Sequence, residues 1–188
     1  MRYITLVLLL LLLSSTYASS VHFTFDDWCN EQTLHTANEL YIRWWRGTFF
    51  VNWKDNSCVR SLIRSWHMIG NHTYNHTDIT KISAAQLKRE IRNLDTQINQ
   101  VTKYFRPPFL RIQPYQLPAI KSLGKKISMP TVDCPDWLRK SSTLTTNCIL
   151  QNTKSWSVIM LHEKFSGPYI GSILDALQKS WYSFTTLP

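Results

Sequence analysis

Six short apolar runs punctuate this chain, at residues 21–25, 48–51, 67–69, 127–132, 158–161 and 182–187. Each is bounded by polar or turn-forming residues, and stretches of helical pattern stand between most of them. Short bounded runs of this kind read as buried strands. Their alternation with helices predicts an α/β fold with a mainly parallel sheet in a single domain. A parallel sheet gathers chemistry at the C-terminal ends of its strands. The polar residues that stand out here fall at those ends.

The helical stretches are read at residues 33–45, 57–64, 83–104 and 173–181. The third carries the clearest pattern. Ser83 can cap it, with Gln86 three residues on as a capping box requires. Leu87, Ile91, Leu94, Ile98 and Val101 then fall on one apolar stripe. Pro107-Pro108 blocks any continuation.

Residues 1–18 stand apart. Arg2 gives a positive start, residues 4–13 are almost entirely Leu, Val and Ile, and Ser14, Ser15, Thr16 and Ala18 supply small side chains. This is the pattern of a secretory signal peptide, cut near Ala18, leaving a domain over residues 19–188. The run falls short of the roughly 20 residues of a membrane span, so an uncleaved anchor is the alternative reading. An exported chain is allowed disulfides. Cys29, Cys58, Cys134 and Cys148 permit three pairings and lack zinc-finger spacing. The net charge of +9 is scattered. Such a protein can bind nucleic acid, anionic lipid or acidic wall polymers. Export argues against nucleic acid, and no membrane contact is expected once the leader is gone. Aromatics are high at 13%, with eight Trp. Most aromatics are expected in the core, and exposed ones suit sugar rings.

Five segments carry candidate chemistry. Asp26-Asp27 ends the first apolar run, where two adjacent carboxylates repel unless a cation or proton relieves them. His72 and His76 are spaced to share one face if a helical turn joins them. Two His and one carboxylate hold a catalytic zinc with a position left open. Arg106-Pro107-Pro108-Phe109 offers a guanidinium to orient a carboxylate and a stiff backbone to aim an N–H. Asp133-Cys134-Pro135-Asp136-Trp137 comes fourth. Met160-Leu161-His162-Glu163 ends the fifth run, where a carboxylate beside His162 would raise its pKa. Each segment alone also suits a capped turn, a solvated loop or a satisfied core histidine.

In this order the five resemble the polysaccharide deacetylases of carbohydrate esterase family 4. The matching segments are Thr24-Phe25-Asp26-Asp27, His72-Thr73-Tyr74-Asn75-His76, Arg106-Pro107-Pro108-Phe109, Asp133 to Trp137, and Leu161-His162. The resemblance implies a distorted (β/α) barrel with fewer than eight regular strands. It also implies a metal-dependent amide hydrolase, acting on N-acetylglucosamine units of chitin or a related wall polymer with a metal-bound water as nucleophile. Asp27, His72 and His76 would hold a divalent metal, most simply zinc. Asp26 would be the base, oriented by Arg106, and His162 the acid, tuned by Asp136. The Phe109 N–H would meet the oxyanion, and Trp137 and Leu161 would wall the acetyl methyl. A secreted monomer at the cell wall is the expected setting. Trp28 and Cys29 depart from the family's Gly-Pro, and Glu163 from its usual Asp. The Trp28 change motivates the alternative of an inactive wall-binding homologue. Asn71 and Asn75 also begin glycosylation sequons, read as coincidental.

Overall fold

The structure is a computed structural model that describes residues 19–52, 56–179 and 182–188; the leader falls outside them. In chain order the elements are β1 (Ser19–Asp27), α1 (Glu31–Tyr41), β2 (Thr48–Val51), α2 (Asn56–Arg64) and β3 (Met68–Asn71). There follow α3 (Ala84–Gln97), β4 (Tyr104–Phe105), α4 (Leu117–Lys121), β5 (Lys126–Ile127) and β6 (Val132–Asp133). The last are α5 (Asp136–Arg139), α6 (Ser142–Asn152), β7 (Val158–His162), α7 (Glu163–Ser166), α8 (Ile170–Gln178) and β8 (Tyr182–Thr185).

All strand pairs are parallel, in the order β5-β4-β3-β2-β1-β7-β6, with β8 paired to β1. This is an α/β fold of the distorted (β/α) barrel type. Only β1, β2, β3, β7 and β8 reach four residues.

Strand β1 organises the core through its alternation. Phe23 and Phe25 point to the helix-covered face, where Phe25 stacks on Phe49 and Phe23 on Phe184, each at 4.9 Å between ring centres. Thr24 and Asp26 point the other way, and one guanidinium, that of Arg106, binds both. Register then sets the site. Asp26 lies opposite His162 on one side and Phe50 on the other, and Asn71 lies opposite Phe105. The residues that follow these strands therefore emerge at one level.

The helix read at 83–104 is shorter than its pattern. The Ser83–Gln86 capping box forms, but α3 stops at Gln97. Asn99 turns the chain in the left-handed region, and Val101 is 83% exposed rather than on the buried stripe. The stretch to Tyr104 is instead the run-in to β4. The run at 127–132 divides between β5 and β6, which lie at opposite edges of the sheet. Two disulfides choose among the three pairings, Cys29–Cys58 and Cys134–Cys148. No helix among the described residues is long and apolar enough to cross a membrane.

Candidate active site

A cleft of about 600 Å³ opens at the C-terminal ends of the strands. Asp26, Asp27, His72, His76, Phe109, Trp137 and His162 all line it. Arg106 and Asp136 lie buried behind Asp26 and His162 respectively.

On one side, Asp27 Oδ1 stands 3.1 Å from His76 Nε2 and 3.6 Å from His72 Nε2. These are the only three metal-competent side chains grouped this way among the described residues, with ligand atoms within 4.8 Å of one another. The two histidines are not on a helical turn, as their spacing suggested. Residues 72–78 form a loop bent by Thr73 and His76, both at positive φ. Asn71 braces it: its side-chain oxygen accepts from the Thr73 N–H, and its amide donates to the Ile91 carbonyl and to Asp95. That buried amide leaves no place for a glycan, and the Asn75 amide donates to Glu90.

His72 Nδ1–H donates to the Arg106 carbonyl at 2.9 Å. That bond fixes the tautomer and leaves the Nε2 lone pair facing Asp27. Complete burial dominates over the neighbouring Asp26 and Asp27 charges and holds His72 below its ordinary pKa, so it is neutral. Burial opposes ionisation of Asp27, but the His76 hydrogen bond and the His162 charge outweigh it and lower its pKa. A lone pair facing a carboxylate is repulsive until a cation stands between them. The donor set therefore fits a divalent metal of the kind two His and one carboxylate hold.

The Arg106 guanidinium holds Asp26 in place. It donates to Asp26 at 2.7 Å, to the Thr24 hydroxyl at 2.8 Å and to the Ser128 carbonyl at 2.9 Å, and lies 4.1 Å from the centre of the Phe50 ring. Gly70 gives that ring its room, since a Cβ there would come within 2.4 Å of it.

On the other side, His162 Nδ1–H donates to Asp136 Oδ1 at 2.9 Å, while Asp136 Oδ2 accepts the His162 backbone N–H at 2.7 Å. Burial works against the charged imidazole, but the Asp136 hydrogen bond and charge, with Asp26 and Asp27 beyond, push its pKa up to about 9. Next to it, burial raises the Glu163 carboxyl well above the ordinary carboxylate range.

Leu161 is the correction. It is fully buried in the main core, on the opposite face of β7 from His162. Met160, two residues from His162, lines the cleft instead. Strand alternation was the signal that finds it. Arg111 and Phe165 also line the cleft without having been singled out, as does Asp133 of the fourth segment. Trp28 is not among the cleft residues. It lines a side cavity of about 190 Å³ with Asp27, Asn30, Glu163, Lys164 and Phe165, which shares Asp27 and Phe165 with the cleft.

Residues 14–128 match the family model described as polysaccharide deacetylase. A peptidoglycan-N-acetylglucosamine deacetylase of Bacillus cereus is 30% identical over 170 residues, which cover 86% of this chain and 62% of that protein. The chain thus spans less than two thirds of that relative's length. Among solved structures, a family 4 carbohydrate esterase from Streptomyces lividans, in complex with acetate, superposes with a TM-score of 0.82 at 23% identity, over 88% of this chain and 91% of that one. A family 4 pseudoenzyme from Bacillus anthracis superposes equally well, at 0.82 and 17% identity, over 91% and 64%.

Proposed function

The chain belongs to the polysaccharide deacetylase family, and on that premise we propose that it hydrolyses the N-acetyl group of N-acetylglucosamine units in a wall polysaccharide such as chitin or peptidoglycan. Zinc is the metal of this reading, held by Asp27, His72 and His76. On this reading the chain is exported, with residues 1–18 as its leader.

One observation carries the reading. A single cleft holds a neutral, ligand-ready His72 beside Asp27 and a protonated His162 above Asp136. Amide hydrolysis requires both a strong nucleophile and a proton for a poor leaving group. A divalent metal held by Asp27, His72 and His76 would supply the first, since such an ion lowers the pKa of water to about 7. Asp26, kept in place by Arg106, takes the proton of the attacking water. The Phe109 N–H, aimed by the two prolines before it, meets the developing oxyanion. His162 gives its Nε2 proton to the departing amine, and Asp136 stabilises the imidazolium until then. Trp137 and Met160 border the place of the acetyl group.

The test is acetate release from chitin oligomers by the purified protein, with zinc and with chelator. Zinc-dependent release that Asp26→Ala abolishes while zinc still binds is the expected result. Zinc binding without acetate release would instead assign the chain to the alternative, an inactive homologue that binds wall polysaccharide.

A further inference from the structure

Five connections from helix to strand turn the chain at the end of the sheet opposite the cleft. Each contains one residue in the left-handed region: Trp44 (φ 60°), Trp66 (φ 63°), Asn99 (φ 52°), Gly124 (φ 69°) and Trp156 (φ 66°). Gly and Asn are the residues that take this conformation easily, and two of the five turns use them. A bulky aromatic there is an outlier whose backbone strain calls for a reason.

The core does not supply that reason. Trp44, Trp66 and Trp156 are 84%, 77% and 64% exposed. They precede β2, β3 and β7, and the sheet order β3-β2-β1-β7 sets their turns in a row. Met68 N donates to the Gly47 carbonyl at 3.0 Å, and Trp156 N to the Ser20 carbonyl, which ties the turns to their neighbours. With strands about 4.8 Å apart, the row runs over roughly 14 Å. The Trp156 ring also rests 6.0 Å from that of His22.

The turns themselves carry charge of one sign, with the nearby Glu39 and Asp175 paired to Arg43. Residues 42–47, 65–67 and 153–157 contain no Asp or Glu. Arg43 is taken up by Glu39 and Asp175, but Arg46 and Lys154 stand two residues in sequence from Trp44 and Trp156, with the Arg46 guanidinium 5.2 Å from the Tyr41 ring, and Arg64 ends the helix before Trp66. Flat apolar rings between cations suit a chain of sugar rings that carries carboxylates: C–H faces stack on indoles and carboxylates meet Arg and Lys.

We propose that this rim is a second polysaccharide-binding surface, on which Trp66, Trp44 and Trp156 hold an acidic, N-acetylated wall glycan away from the cleft. The inference rests on the deacetylase reading for its choice of polymer. Two contacts on one insoluble polymer raise its effective concentration at the cleft. The cationic rim repels a deacetylated, ammonium-bearing polymer, so spent stretches are released.

The experiment is co-sedimentation of the full chain with purified peptidoglycan sacculi, with chitosan and with phosphatidylglycerol vesicles. The variant is Trp44→Asn, Trp66→Asn, Trp156→Asn, which places in all three turns the residue that already serves at position 99. Its thermal midpoint is expected to hold or rise, which keeps a folding defect from imitating lost binding. Wild-type protein is expected to sediment with sacculi and not with chitosan, and the triple variant to lose about tenfold or more of that partition. Its acetate release from soluble oligomers should stay at the wild-type rate. Replacing Arg46, Arg64 and Lys154 by Glu should weaken sacculus binding and permit binding to chitosan. Equal sedimentation of wild type and triple variant with sacculi would overturn the proposal. So would Trp-dependent retention on the vesicles in place of sacculi. Absence of acetate from soluble oligomers would strike the catalytic reading alone, because the sedimentation result does not depend on turnover.

Discussion

His72 and His162 lie on either side of β1 in the sheet order, line one cleft and each face a carboxylate, yet their pKa values move in opposite directions. Both lose solvation, which favours the neutral ring. His72 gives its one N–H to a backbone carbonyl, a neutral acceptor, so burial prevails. His162 gives its Nδ1–H to a carboxylate that is itself held by two backbone N–H groups, from Trp137 and His162. That ion pair overcomes burial. The second partner of an imidazole, more than its depth, decides whether it becomes a ligand or an acid.

The sharpest way to break this contrast is to exchange loss of metal for loss of proton. His72→Ala and Asp27→Ala are expected to remove zinc binding in calorimetry and reduce acetate release to background. His162→Ala should keep zinc affinity while activity falls about 10²–10⁴-fold. If His162→Ala lost the metal as well, the two sides would not be separate functions.

The second prediction concerns pH. A group whose pKa is raised to about 9 stays protonated below that value and loses its proton as pH rises through it. Acetate release should therefore fall on an alkaline limb near 9. Asp136→Asn removes the ion pair and leaves the burial, so the limb should move down to or below the ordinary histidine value of about 6.5. A pH–rate profile that does not move would detach Asp136 from His162.

The disulfides sharpen the comparison by stability. Cys134–Cys148 ties the segment before Asp136 to α6, and Cys29–Cys58 ties the segment after Asp27 to α2. Replacing Cys134 and Cys148 by Ala should cost about 3 kcal/mol in chemical denaturation and lower activity with zinc affinity intact. The smallest effect is expected for Trp28→Gly. Trp28 lines the side cavity and not the cleft, so acetate release should stay within about threefold of wild type, a change of well under 1 kcal/mol in the barrier. A large gain would show that Trp28 obstructs the site.

Much of this was legible along the chain. The run of 48–51 is β2 without adjustment, 57–64 is within a residue of α2, and the capping box of Ser83 starts α3 as read. Boundaries set by the next element were less so. The stripe from Leu87 to Ile98 gave no warning that Val101 belongs to a turn, because apolar periodicity continues by chance across the point where β4 must begin. The i, i+4 spacing of His72 and His76 found the right pair by the wrong device, since a bent loop delivers both rings as well as a helix would. Leu161 and Met160 are equally apolar, and only the face of β7 separates wall from core.

By itself the sequence determined the α/β class, the strands β1, β2, β3, β7 and β8, the polar residues at the strand ends and the candidate set from Asp26 to His162, since these rest on local patterns and residue chemistry. Tertiary structure decided the pairing of the four cysteines, the tautomer of His72, the raised pKa of His162 and the row of tryptophans at the far rim. Each depends on partners far apart in the chain, such as Arg106 for His72, Asp136 for His162 and the β3-β2-β1-β7 order for the indoles. Only the parallel register of the sheet brings them together.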